Sequence, residues 1–79
     1  MTTDIILQKS APYRLLEEIA VQSSAFESEI YLMKGNFKAN AKNLIDLITL
    51  SLHPFDHLFL IIEGTDSNEA QEKIVKLLN

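Results

Sequence analysis

The stretch "HLFLIIEG", His57 to Gly64, constrains the fold more than any other part of the chain. Five consecutive apolar residues, Leu58 to Ile62, lie between a breaker, "HPFD", and a glycine. The run is far too short to cross a membrane and reads as a well-buried strand. A strand of that kind needs others to pair with. The remainder of a 79-residue chain must supply them within one domain, residues 1–79. The chain has no cysteine, so neither a disulfide nor a cysteine-ligated metal can staple it. An apolar fraction of 47% is enough for a globular core and too high for a disordered segment.

The partner strands are visible as alternation. Thr3, Ile5 and Leu7 fall on one face of the first segment, and Asp4, Ile6 and Gln8 on the other. Ile30 and Leu32 alternate with Glu29, Tyr31 and Met33. Gly35 and Asn36 supply turn chemistry, after which Phe37 and Ala39 resume an alternating face. Helical spacing separates these strands. In "SAPYRLLEE", Ser10 is the expected N-cap and Pro12 opens the helix. Leu15, Leu16, Ile19, Ala20 and Ser23 then form its stripe. In "NLIDLITLSL", Asn43 caps a second helix, with Asp46 in its first turn. Leu44, Leu47, Ile48 and Leu52 are expected to face inward, leaving Ile45 on a flank. A third helix follows Gly64, with Asp66 and Glu69 as a capping-box pair and Ala70, Ile74, Leu77 and Leu78 as its stripe. The order β-α-β-β-α-β-α predicts an α+β open-faced β-sandwich, a four-stranded sheet with three helices on one face.

Several function classes are unfavoured by composition and motif content. A net charge of −4 argues against nucleic-acid or anionic-membrane partners, which want a basic patch. "MTTDIILQKS" lacks the basic leader and long apolar region of a signal peptide, and the absence of cysteine fits a reducing compartment. A cytoplasmic protein is expected. With two glycines there is no Gly-rich phosphate loop. Neither Ser23–Ser24 nor Ser51 sits in a nucleophile setting, and no catalytic constellation marks the chain as an enzyme. No cofactor is implied. His53 and His57 stand at the i, i+4 spacing of a helical zinc pair. Pro54 lies between them and His57 enters a strand, so they need not share a face, and no metal site is expected.

Three stretches carry a family resemblance. "FKANAKNLIDLITLSL" resembles the segment before and through the second helix of the histidine-containing phosphocarrier protein, HPr. "FESEIYL" resembles that family's second strand, and "EGTDSNEAQEKIVKLL" its final turn and helix. The resemblance covers nearly the whole chain and implies the HPr-like fold. It also implies a phosphocarrier, taking a phosphoryl group from enzyme I to sugar-specific enzyme IIA proteins. That chemistry needs an imidazole acceptor, a helix N-terminus and an arginine to stabilise the phosphoryl dianion. The family's motif is a histidine, one residue, then arginine and proline, and it aligns with "PYRL". Arg14 matches the arginine, Pro12 stands where the histidine belongs, and Leu15 replaces the proline. A proline in the chain has no nucleophilic nitrogen, and no histidine precedes His53.

The family's second landmark is a serine that opens the second helix and is phosphorylated by a dedicated kinase in many Gram-positive members. Asn43 holds that place; it keeps the cap and lacks the hydroxyl. The family's docking face implies partner-binding roles for Arg14, Leu44, Ile45 and Ile48, with Tyr13 and Phe55 as extensions. Its basic rim is thinned: Val21, Ser24 and Asp46 stand where basic or small residues are frequent, and Arg14 and Lys42 remain. Weakened steering toward the acidic groups of enzyme I is expected.

Each feature also has an ordinary reading. Arg14 is expected to pair with Glu17 or Glu18, Pro12 is standard helix-start chemistry, and Leu44 and Leu47 are core. The leading expectation is an HPr-like protein that carries no phosphate and binds proteins as a regulator, adaptor or decoy. Its partners would be phosphotransferase-system components or a transcriptional regulator. The alternatives are a phosphocarrier with a different acceptor, His53 or His57, and an oligomeric module. In the latter the lightly charged first strand pairs with a second copy in a homodimer.

Overall fold

The computed structural model describes residues 1–79. Its elements are β1 (Thr2–Ile6), α1 (Tyr13–Ser24), β2 (Glu29–Lys34), β3 (Phe37–Asn40), α2 (Leu44–Leu50), β4 (His57–Glu63) and α3 (Ser67–Leu78). The strands form one antiparallel sheet in the order β1-β4-β2-β3. β1 and β2 therefore run parallel with β4 between them, and β3 and β4 run parallel with β2 between them. Each parallel pair is joined through a helix, α1 or α2. Right-handed crossovers place both helices over the same face. That is the expected α+β open-faced sandwich.

The single apolar cluster lies between sheet and helices. Ile5, Leu7, Ile30, Leu32, Leu58, Leu60 and Ile62 come from the sheet side. Leu16, Ile19, Leu47, Ile74 and Leu78 meet them from the helices. β4 departs from the expectation of burial on both faces. Leu58, Leu60 and Ile62 are buried, whereas Phe59 is exposed and Ile61 half-buried. No helix covers the second face, so a continuous apolar run still alternates in burial.

The helix starts and ends also differ locally from the sequence reading. Pro12, not Ser10, is the N-cap of α1. Its carbonyl accepts from the N–H groups of Leu15 and Leu16 at 2.9 and 3.2 Å, and no side chain caps the turn. Proline's fixed φ, here −68°, sets the chain for helix entry two residues after Ser10. α2 ends at Leu50 with Ser51 left-handed at φ 58°. Leu47 and Leu50 face inward and Leu52 is buried beyond the helix, so Ile48 points outward instead. Phe37, at the tip of the edge strand β3, is exposed while Ala39 is buried. α3 has no side-chain cap from Asp66. The Asp66 carboxylate instead accepts from the N–H groups of Glu27 and Ser28, at 2.9 and 3.0 Å, and from the Ser28 hydroxyl. Those bonds, led by the Ser28 hydroxyl, lower its pKa below the usual carboxylate value. Gly64 makes this tie possible. A Cβ there would lie 2.6 Å from the Ser28 Cα.

Candidate functional site

Three segments meet at one end of the sandwich: the β1–α1 loop, the first turn of α1, and the α2–β4 loop. Two backbone hydrogen bonds fasten the loops together. Phe55 N–H donates to the Leu7 carbonyl at 2.6 Å, and Leu7 N–H to the Asp56 carbonyl at 3.0 Å. Phe55 takes a positive φ of 71°, and its side chain stands 74% exposed. An aromatic residue in the left-handed region is held there by its surroundings.

Those surroundings are anchored by Lys34, at the end of β2. Its ammonium donates to the Ser51 carbonyl at 2.6 Å and lies 2.9 Å from the Asp56 carboxylate. The cation therefore sits at the C-terminus of α2, where the helix dipole favours it. Asp56 also accepts from the His53 N–H at 2.7 Å. Lys34 first, and then the His53 N–H, hold the Asp56 carboxyl below its usual pKa. The sequence reading missed this clamp. Nothing marks Lys34 in the sequence, and its partners lie 17 and 22 positions further along.

Pro12 and Arg14 open α1 at the same end, and both are exposed. Arg14 makes no ion pair within 4.0 Å; the chain's salt bridges involve Met1, Lys34, His53 and His57. The expected pairing with Glu17 or Glu18 does not form, although all three line one shallow depression. A solvated pair at that spacing contributes only ~0.2–0.5 kcal/mol, too little to fix two long side chains.

α2 is built from a tightly bonded turn. The Asn43 side chain accepts from the Asp46 N–H at 3.1 Å, as its cap role requires. Asp46 in turn accepts from the Asn40 N–H at 3.1 Å, and Asn40 accepts from the Lys42 N–H at 3.0 Å. The Lys42 ammonium donates to the Phe26 carbonyl at 2.7 Å, so this cation is engaged within the fold and half-buried. Between α1 and α2 runs a groove of about 420 Å³, lined by Glu17, Ala20, Val21, Ser24, Lys42 and Leu44.

Ile45 is 72% exposed and Ile48 46% exposed on the outer side of α2, and Leu44 is half-buried against the core. Tyr13, at the start of α1, is also exposed. Tyr13, Ile45, Ile48 and Phe55 are thus four large apolar side chains left exposed on a small domain.

The two histidines stand in separate settings. His53 lies in the α2–β4 loop, with Nδ1 3.9 Å from Asp56. His57 lies on β4, with Nε2 4.0 Å from Asp4 and its ring 4.8 Å from that of Phe59. No group of three histidine, aspartate or glutamate side chains is arranged to hold a metal ion.

Residues 3–79 match the family described as the PTS HPr component phosphorylation site. The HPr-like protein Crh of Halalkalibacterium halodurans is 33% identical over 57 residues, covering 72% of this chain and 68% of that protein. The crystal structure of HPr-C-His from Thermoanaerobacter tengcongensis superposes with a TM-score of 0.92 at 26% identity, over 99% of this chain and 90% of that one. The Crh of Bacillus subtilis, seen crystallographically as a dimer with a swapped domain, superposes with a TM-score of 0.79 at 27% identity, over 94% and 85%.

Proposed function

The chain belongs to the HPr family of the phosphotransferase system, and from that premise we propose that it acts by binding proteins and carries no phosphate. The observation that carries this reading is Pro12. The family resemblance puts the phosphoacceptor histidine at this position, where the chain opens α1 with a residue that has neither an imidazole nor an N–H. Asn43 supports it independently. It performs the N-cap role of the family's regulatory serine through the Asp46 N–H, without a hydroxyl to modify. Arg14 is then a remnant of an anion site, exposed and without a partner carboxylate.

The docking surface in this reading is Ile45 and Ile48 with Leu44 at their base, and Arg14, Tyr13 and Phe55 at the rim. The chain works as a cytoplasmic single-domain regulator, adaptor or decoy, on phosphotransferase-system components or a transcriptional regulator. The likeness to the Crh of Bacillus subtilis, described as a catabolite repression protein, supports the regulatory role. Intact mass after incubation with enzyme I, phosphoenolpyruvate and the HPr kinase tests the proposal. An unchanged mass is expected; one added phosphate on any residue, His53 and His57 included, overturns it.

A further inference from the structure

The face of the sheet that no helix covers is not a polar surface. Strand pairing arranges its side chains in rows across all four strands. One row runs Asp4, Phe59, Met33, Lys38 from the β1 edge to the β3 edge. The next runs Thr2, Ile61, Tyr31, Asn40. Ile6, 53% exposed, and His57 begin a third row beside the β2–β3 turn. Each complete row therefore has two large apolar or aromatic groups at its centre. The first ends in an acid at one edge and a base at the other. The Asp4 side chain is 69% exposed, and Lys38 is exposed with its ammonium over the Tyr31 ring at 4.3 Å.

We propose that this open face is a self-complementary surface on which a second copy of the chain docks, sheet against sheet. A two-fold axis parallel to the strands, lying between the two sheets, reverses the strand order and keeps each row level. Asp4 of one copy then meets Lys38 of the other, and Lys38 meets Asp4. Phe59 meets Met33, Ile61 meets Tyr31, and Thr2 meets Asn40. Ile6 reaches over the β2–β3 turn of its partner. This is the aligned class of sheet packing, in which the strands of the two sheets keep nearly the same direction. A two-fold contact of this kind closes on itself and makes a dimer, not a filament.

One row opposes the contact. Glu29 and Glu63 pair across β2 and β4 at the end of the sheet, and the axis sets them facing each other. The cost is limited by local partners. The amino terminus lies 3.4 Å from Glu63, and the Tyr31 hydroxyl donates to Glu29 at 3.0 Å. The row also lies at the end of the sheet, where both carboxylates are exposed to solvent that screens them. With strands ~4.8 Å apart, the outer strands lie roughly 14 Å from each other, so the footprint is a few hundred Å² and the dimer weak. The contact leaves the α2 surface free and is independent of phosphate chemistry.

The opposed charges give a decisive test. The native chain, Asp4→Lys, Lys38→Asp, and an equimolar mixture of the two variants are compared by sedimentation equilibrium from micromolar to millimolar concentration. Circular dichroism confirms that each is folded. The native chain should dimerise, and each variant alone should dimerise roughly 10-fold more weakly or worse, since like charges now meet across the interface. The mixture should recover association. In the mixed dimer the introduced lysine faces the introduced aspartate at one symmetric contact, and native Lys38 faces native Asp4 at the other. The double variant Asp4→Lys/Lys38→Asp should recover it as well. A native chain that stays monomeric throughout overturns the proposal. So does a dimer that survives both single substitutions, which places the contact elsewhere, on the β1 edge or by strand exchange.

Discussion

Replacing Gly64 with alanine should be the most damaging single-methyl change in the turn that joins sheet and third helix. The added Cβ lies 2.6 Å from the Ser28 Cα and 2.8 Å from the Ser28 Cβ. Carbon atoms pack best about 3.5–4.0 Å apart, so two contacts are about 1 Å too short. Ser28 is fully buried and bonded to Asp66, so it has nowhere to retreat. Overpacking of that kind costs about 1–3 kcal/mol. The backbone adds a further ~1–3 kcal/mol, because φ at Gly64 is +152°. Gly35→Ala is the control. At φ +60° it meets nothing within 4 Å, so it suffers only the left-handed penalty of about 1 kcal/mol. For a domain of this size each kcal/mol shifts Tm by about 4–8 °C. Thermal melts by circular dichroism should therefore show a loss of roughly 4–8 °C for Gly35→Ala. Gly64→Ala should lose roughly 10 °C or more, or fail to fold. Equal losses in the two variants would refute the reasoning, because backbone conformation alone would then explain both.

Asn43→Ala should lower stability by ~1 kcal/mol while Asn43→Ser stays within a few tenths, since only alanine removes the bond to the Asp46 N–H. Urea melts check this. Asp56 and Asp66 both have folded-state pKa values below their unfolded values, so their contributions are fully present above the ordinary carboxylate pKa. Those contributions fade as pH falls through the lowered values; Tm against pH should therefore drop below about pH 4, and less steeply in Asp66→Asn. Lys34→Met should speed amide exchange at Ser51 and Phe55, relative to the sheet core, because it removes the bonds holding the α2–β4 loop. Pro12→His should gain one phosphate from enzyme I and phosphoenolpyruvate, read by intact mass, if the exposed Ile45 and Ile48 still dock; no gain means that the surface has diverged along with the site or that the β1–α1 loop misplaces the new imidazole.

Alternation and caps made most of the fold legible. Ile30 and Leu32 announced β2, Asn43 announced α2, and Gly35–Asn36 marked the hairpin turn. What escaped the sequence was long-range. "DSNE" has the pattern of a capping box, yet Asp66 bonds to Ser28, 38 positions away, because the α1–β2 loop packs beside it. A local pattern cannot register that competitor. "LFLII" could not show that one face of β4 lacks a helix. Helical spacing put Ile48 inward, whereas packing of α2 on the sheet buries Leu50 and leaves Ile48 exposed. Of the site, Pro12 and Asn43 acquire meaning only beside a family pattern. The clamp had no sequence signal, because it joins the Lys34 side chain of β2 to a backbone carbonyl and a carboxylate of the distant α2–β4 loop, at Ser51 and Asp56.

The proposed function assigns Pro12 and Asn43 to the family's two modification positions, so on that reading no residue of this chain should accept a phosphoryl group from the phosphotransferase system. Intact-mass spectrometry of the native chain at neutral pH, which preserves acid-labile phosphohistidine, addresses this without intermediaries. The chain is incubated with enzyme I and phosphoenolpyruvate, then separately with the HPr kinase and ATP, with an active HPr in the same tube as internal control. The control should gain one phosphate while this chain keeps its unmodified mass in both reactions. A phosphorylated species of this chain, in either reaction, is incompatible with a protein that acts by binding alone.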